Sequence, residues 1–350
     1  MIPLVWLAGA SGTGKSTAGY GAFRLLADTG VEVAYVDADQ LRLAAGVTAT
    51  EDELVAASLV ELVPRYAAAG ARALIVSGIA DDSEHLRRLV GALSVTPVVL
   101  RADPTVLRDR LLARGWGDEQ IASALASAEA HDDAVSEIRI DTTASEPSAV
   151  CARVAEVVAR VATASAPVAD FSQPGAPPDR ILLVTGPGGV GLSTAGWLAY
   201  VNLVQQGIPA AYADAFQVGF CPAPESARID NAIAHAGVLA SHGVTTLVVT
   251  GGPSTVEALT ERWPHATVSW LAASPKVLGE RIAGRARGFG PGIPGDWRIG
   301  LTGAPLAEAI AAGVAELGAE VPGATVISTD DLAPADVAAD LTRLLFPHRA

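Results

Sequence analysis

The stretch GASGTGKST, residues 9–17, sets three glycines, a lysine and four hydroxyl side chains in the spacing G-x-x-x-x-G-K-[ST]. Loops of this pattern hold phosphate. Glycine lets the backbone turn its N–H groups inward, the following helix presents its positive end, and the lysine adds a full charge. Gly9, Ala10, Ser11, Gly12, Thr13, Gly14, Lys15, Ser16 and Thr17 are therefore the candidate ATP-binding residues. Lys15 would reach the β and γ phosphates and Ser16 would contact Mg2+. An incidental lysine is a poor alternative, because the chain has two lysines, Lys15 and Lys276, against 22 arginines. A second stretch, GPGGVGLST at residues 186–194, repeats the glycines and hydroxyls but has Leu192 in the lysine position.

Carboxylates stand about 20 residues beyond the first loop, in YVDADQLR, where Asp37, Asp39 and Arg42 follow an apolar run. The C-terminal edge of a parallel sheet is where ligands bind, so these acids are candidate site residues. The plain alternative is a pair of solvated turn acids. An Asn-Lys-x-Asp segment for guanine is absent around Lys276, and the third apolar run ends LIVSGI without the acid that motor and transporter ATPases carry there. Among the histidines no metal-ligand spacing occurs, and His85 reads as a surface residue. Asp81 and Asp82 read as the start of a helix.

These groups need a scaffold, and the chain repeats one. Residues 9–41 align without a gap to residues 186–218, with 15 of 33 positions identical. ALIVSGI matches TLVVTGG, and ADPTVLRDRLLARG matches ASPKVLGERIAGRA. Short apolar runs alternate with amphipathic stretches in both halves, the pattern of βαβ units around a parallel sheet. PLVWLA, EVAYVD, RALIVS, PVVLRA and EIRID supply five strands, and Thr50 with Glu53 has the spacing of a capping box. The expectation is an ATP-binding domain over 1–162, a Pro/Ala-rich linker over 163–179, and a degenerate second domain over 180–350.

Composition narrows the partners. A net charge of −14 and a pI near 4.8 disfavour nucleic acid and anionic membrane, leaving a small-molecule acceptor as the expected partner. Cys151 and Cys221 are too few for a disulfide framework, and MIPLVWLAGA has neither a basic leader nor an unbroken span, so a cytoplasmic protein is expected.

The first half resembles the P-loop small-molecule kinases of the adenylylsulfate kinase, shikimate kinase, gluconate kinase and chloramphenicol phosphotransferase group. The resemblance rests on GASGTGKST, DADQLR, RDRLLARG and IDTT. It implies an α/β fold of two tandem P-loop NTPase domains, each a parallel five-stranded sheet flanked by helices in the order 2-3-1-4-5. It also implies ATP and Mg2+ as ligands and transfer of the γ phosphoryl group to a hydroxyl. Within it, Asp37 and Asp39 would orient and deprotonate the acceptor, and Arg42 would hold it. Arg110 and Arg114 would lie in a lid and stabilise the transferring phosphoryl group, and Thr142, Thr143 and Pro147 would follow the last strand near adenine. From the residues alone, Arg110 and Arg114 read equally as surface partners of Asp109 or Glu119. The phenylalanine-serine and asparagine-isoleucine-arginine segments of adenylylsulfate kinases are absent, as is the glycine triplet of shikimate kinases, so the acceptor stays open. A non-catalytic ATP-binding regulator and a bare NTPase are the other readings. The second half, lacking the lysine and matching Asp39 with Phe216, is expected to scaffold, dimerise into a homodimer, or regulate.

Overall fold

Two parallel sheets with helices packed on them make up the chain, in a computed structural model that describes residues 1–131, 136, 138–164, 171–290, 292–319 and 321–346. The described chain divides into two units. Unit 1 comprises Met1–Arg42, Thr50–Gln173 and Val218–Ala227, and unit 2 comprises Leu43–Ala49, Pro174–Gln217 and Arg228–Ala350. Neither unit is continuous in sequence, since each takes in a short segment from the other half of the chain. Residues 165–170 of the expected linker lie outside the described residues.

In unit 1 the strands are β1 (Leu4–Ala8), β2 (Ala34–Asp37), β4 (Leu74–Ser77), β5 (Val95–Arg101) and β6 (Arg139–Asp141), the two-residue β3 (Ala44–Ala45) belonging to unit 2. They pair in parallel in the order β2-β4-β1-β5-β6, which is 2-3-1-4-5 within the unit. Every residue of β1 is buried, as a central parallel strand covered on both faces must be. The helices are α1 (Lys15–Asp28), α2 (Glu51–Ala68), α3 (Ser83–Val90), α4 (Pro104–Ala113), α5 (Asp118–His131) and α6 (Pro147–Val161). Val5, Leu7 and Leu100 of the sheet pack against Ala18 and Ala22 of α1 and Val154 of α6. α1 lies close because its inner face is small: a Cβ on Gly19 would fall 2.6 Å from the Tyr35 ring. α2 begins in the expected capping box, with Thr50 N–H donating to Glu53 Oε2 at 2.8 Å and Glu53 N–H donating to Thr50 Oγ1 at 3.2 Å.

Unit 2 repeats the arrangement with β7 (Arg180–Thr185), β8 (Ala210–Asp214), β9 (Thr246–Thr250), β10 (Thr267–Ala272) and β11 (Thr325–Ser328). Its helices are α7 (Leu192–Gln205), α8 (Pro224–Ser241), α9 (Pro253–Arg262), α10 (Pro275–Ala286), α11 (Gly303–Ala315) and α12 (Pro334–Leu345). The sheet differs from the expected five strands. It has six, in the order β11-β10-β7-β9-β8-β3, because β3 pairs antiparallel with the edge strand β8. Tyr212 N–H donates to Leu43 O at 2.9 Å there, and the matching bond in unit 1 runs from Tyr35 N–H to Phe220 O, also 2.9 Å. An exposed edge strand otherwise leaves a row of unpaired backbone groups, and these segments cover part of it in both units. In unit 1 the covering segment is also packed, with Phe220 against Tyr20, Phe23 and Tyr35, and with Tyr66 Oη donating to Val218 O at 2.9 Å. Among the described residues no helix is long and apolar enough to cross a membrane.

Candidate functional site

β1 ends at Ala8, and the six residues that follow, 9–14, turn the chain into α1, which opens on Lys15. Gly9, Gly12 and Gly14 adopt φ values of 134°, 90° and 89°, a region closed to side chains, and a Cβ on Gly9 would meet Leu100 O at 2.2 Å. The loop therefore requires those glycines. Lys15 Nζ folds over it and donates to Gly9 O at 2.8 Å and Ala10 O at 3.0 Å. Loss of water around that ammonium pulls its pKa down to about 8, against the opposing pull of Asp39 and Asp37. A lysine held by two carbonyls and short of solvent gains from any anion brought to the loop.

Ser16, one residue further into α1, donates from Oγ to Asp37 Oδ2 at 2.6 Å. Asp37 closes β2 and is buried. Its Oδ2 also accepts from Ser77 Oγ at 2.9 Å, Ser77 is bonded to Tyr35 Oη, and its Oδ1 accepts from Asp39 N–H at 3.0 Å. Burial, with Asp39 next in effect, raises its pKa above the usual carboxylate value. Asp39, two residues on, is different: its side chain is 58% exposed and pairs with Arg42, which also reaches Glu51 at 3.0 Å. The two acids are thus divided by environment. Asp37 is buried and fixed by its donors, and Asp39 is open to solvent.

The arginines are divided too. Arg110, on α4, donates to Thr142 Oγ1 at 3.1 Å and Thr142 O at 2.7 Å, with a longer bond to Gly12 O at 3.4 Å. It ties the phosphate loop to the segment after β6 and has no carboxylate partner in either Asp109 or Glu119. Arg114, at the end of α4, is exposed and acts on Lys15 through its charge. Thr143 is in the same post-β6 turn, its Oγ1 accepting from Asp103 N–H at 2.9 Å. Lys15, Ser16, Asp37, Asp39, Arg42 and Arg114 therefore surround the loop, while Thr142 and Thr143 form its far border. Sequence reading missed Ser77 and Tyr35, which hold Asp37; the polar Ser77 closing an apolar strand was the available signal.

Residues 5–135 match the AAA_18 family model, an AAA domain. The AAA-domain match runs from β1 through α5 and so takes in the loop, the acids and both arginines. No curated protein matches the chain. Similar solved structures include a sugar kinase from Janibacter sp. HTCC2649, 22% identical over 47% of this chain and 99% of that one, with a TM-score of 0.35. Others are the APS kinase of Mycobacterium tuberculosis, solved with AMPPNP and APS, at 19% identity over 45% and 98% and a TM-score of 0.33, and the tunicamycin resistance protein of Deinococcus radiodurans, at 22% over 48% and 99% and 0.33.

His85 departs from its expected surface role. Its side chain is 13% exposed and lies between Asp52, 3.2 Å from Nε2, and Asp81, 3.1 Å from Nδ1. It joins α3 to α2, because Asp82 caps α3 through the N–H groups of Glu84 and His85 and so turns the imidazole toward α2.

The counterparts in unit 2 keep much of this geometry. Ser193 Oγ donates to Asp214 Oδ2 at 3.0 Å, Tyr212 Oη meets Thr250 Oγ1 at 2.9 Å, and Phe216 N–H donates to Asp214 Oδ1 at 3.0 Å. Arg281 donates to Val190 O at 2.9 Å, Thr329 Oγ1 at 2.7 Å and Thr329 O at 2.7 Å, as Arg110 does around Thr142. The ammonium is absent, and an aromatic ring, under the Arg228 guanidinium at 4.6 Å, replaces the second acid.

Proposed function

We propose that unit 1 binds ATP with magnesium and transfers its γ phosphoryl group to a hydroxyl of a small-molecule acceptor. The observation that carries this reading is the division of labour between Asp37 and Asp39 beside an intact lysine-bearing loop. A bare phosphate-binding loop has no use for an open carboxylate two residues beyond a closed one. The acids, the post-β6 threonines and the exposed Arg114 are what a transferase adds to a nucleotide site.

The residues present fit magnesium, which prefers oxygen and is held by one or two protein groups together with phosphate oxygens. Ser16 and Asp37 would hold it, and among the described residues no cluster of three or more His, Cys, Asp or Glu offers another metal site. Bound there, the ion would neutralise phosphate charge. The loop N–H groups and Lys15 would orient the β and γ phosphates, and Arg114 would stabilise charge on the phosphoryl group in flight. The acceptor oxygen would form a bond to the γ phosphorus, the bridging P–O bond would break with its electron pair going to ADP, and Asp39 would take the hydroxyl proton. Arg42, already paired to Asp39, would aim that carboxylate and contact the acceptor.

In the same reading the chain is a tandem duplication whose second half has lost catalysis. Without the lysine charge and the second acid, transition-state stabilisation there would fall by several kcal/mol, on the order of a thousandfold in rate or more. The test is a transfer screen of purified chain with ATP against nucleosides, sugars, aminoglycoside-type antibiotics and hydroxy acids, read by product mass. ATP consumption that depends on an added acceptor supports transfer. Equal ATP hydrolysis with and without every pool would assign a bare NTPase instead, and tight binding with no turnover a regulator.

A further inference from the structure

Unit 2 lost its lysine without losing its cradle. Gly186, Gly189 and Gly191 keep φ values of 154°, 98° and 108°, so the loop backbone of unit 1 is reproduced around residues 186–191. Above it lies a cavity of about 680 Å3, within the range of small-molecule sites and far larger than a single phosphate needs. Its lining includes the apolar Val277, Leu332, Pro334 and Val337 and the cationic Arg281, Arg285, Arg287 and Arg298.

Arg298 is the informative one. A Cβ placed on Gly188 would fall 2.3 Å from its Nη2, so the guanidinium rests directly on the loop, and a side chain there would have to push it aside. The equivalent position of unit 1 is Ser11. The charge removed with lysine thus returns from a different part of the chain. The loop also already faces an anion, since Gly188 N–H donates to Glu316 Oε2 at 2.7 Å. The positive charge is incompletely neutralised. Arg285 and Arg298 share one carboxylate, Asp296, at 2.6 Å and 3.4 Å, and Arg281 is bonded only to neutral oxygens. The other acids of the lining are Asp330, turned to Ser274 N–H at 2.8 Å, and Glu280, so four arginines stand against three carboxylates.

We propose that unit 2 holds a second binding site, for a nucleoside polyphosphate, in which Arg298 supplies the charge that Leu192 lacks. Phosphates would lie on the loop between Arg281 and Arg298, displacing the Glu316 carboxylate, and the base would lie against the apolar residues. Phe216 stands where the acceptor acid would be, so the ligand is held and not turned over. The inference rests on the reading that these loops take phosphate, but not on catalysis by unit 1.

Equilibrium dialysis of the full chain with ATP and magnesium tests it. Two nucleotides should bind per chain. Lys15→Ala should weaken one site, and Arg298→Ala should weaken the other by tenfold or more while leaving phosphoryl transfer by unit 1 unchanged. Arg298→Lys should recover part of the loss, and Glu316→Gln, by removing the competing carboxylate, should tighten the same site. Thermal unfolding of each variant separates lost binding from lost folding. A stoichiometry of one, abolished by Lys15→Ala, overturns the proposal, as does an Arg298→Ala chain that folds and binds both nucleotides as before. Tripolyphosphate binding as tightly as ATP would overturn the nucleoside part. Two bound nucleotides with no transfer would sink the activity proposed for unit 1 and leave this site standing.

Discussion

The two nine-residue phosphate loops differ at four positions, of which the exchange of Lys15 for Leu192 removes the charge, the turns beyond β2 and β8 exchange Asp39 for Phe216, and their surroundings have diverged around those changes. At the loop of unit 1 Lys15 is bonded to Gly9 O and Ala10 O. At the loop of unit 2, where Leu192 has no donor to offer, a cavity of about 680 Å3 is lined with arginines. The buried framework under both is the same: a serine on the first turn of the helix, an aspartate closing the second strand, and a tyrosine with a hydroxyl partner. The comparison teaches that the scaffold of a phosphate site and its chemistry are separable. Buried hydrogen bonds are expensive to leave unmade, so the Ser193–Asp214 pair survives even where the exposed Asp39 position has become Phe216.

The largest effect should come from the lysine. Lys15→Ala should lower phosphoryl transfer on the order of a thousandfold or more, measured as acceptor-dependent ADP release. The converse change, Leu192→Lys in a Lys15→Ala background, should restore none of it, because Phe216 still fills the second acid's place; recovered transfer would erase the distinction between the units. Next, Asp39→Asn should lower kcat roughly a hundredfold or more with nucleotide affinity retained, since a base is lost and the loop is not. If affinity falls and kcat does not, Asp39 is a binding group.

The edge segments offer a third contrast. Phe220, Leu43 and Ala45 are all partly buried against their cores, but Phe220 has three aromatic neighbours in unit 1 and the other two are aliphatic. Phe220→Ala should cost about 2 kcal/mol in denaturant unfolding and Leu43→Ala about half that. Equal costs would mean that the aromatic packing adds nothing.

The smallest effect is in pH. Because burial holds Lys15 near 8 against 10.5 for a free lysine, the ligand-free folded chain binds fewer protons than the unfolded chain between those values. Ligand-free stability contributed by this group therefore rises with pH across that window, and its cost is present in full below about 8. Phosphate favours the charged form, so nucleotide affinity at unit 1 should fall as pH passes 8, by at most tenfold per pH unit. The arginine-held site of unit 2 should show no such loss in a Lys15→Ala chain titrated by fluorescence.

Much of this was legible before any coordinates. The glycine spacing dictates a loop that only phosphate-binding turns adopt, the apolar runs dictate a parallel sheet, and the gap-free match of residues 9–41 to 186–218 dictates that the scheme occurs twice. Leu192 alone marks the loop that has no ammonium. Less could be read of the side chains around it. Asp37 and Asp39 are the same residue type two positions apart, and nothing local says that one is buried under Ser16, Ser77 and Asp39 N–H while the other faces solvent. Read locally, Arg110 is a surface partner of Asp109 or Glu119, yet it is bonded to Thr142, a residue 32 positions away. His85 reads as exposed because one of its partners, Asp52, comes from α2, 33 positions away.

What the sequence determined by itself is local: which backbone can turn at Gly9 and Gly14, which runs can be buried, and which loop carries a charge. Those properties depend on φ freedom, period and side-chain type over a few residues. What tertiary structure decided is everything that brings distant residues together. The six-stranded sheet of unit 2, the covering of β2 by Phe220 and the arrival of Arg298 at Gly188 arise because edge backbone groups and loop N–H groups must find partners, and those partners lie far along the chain.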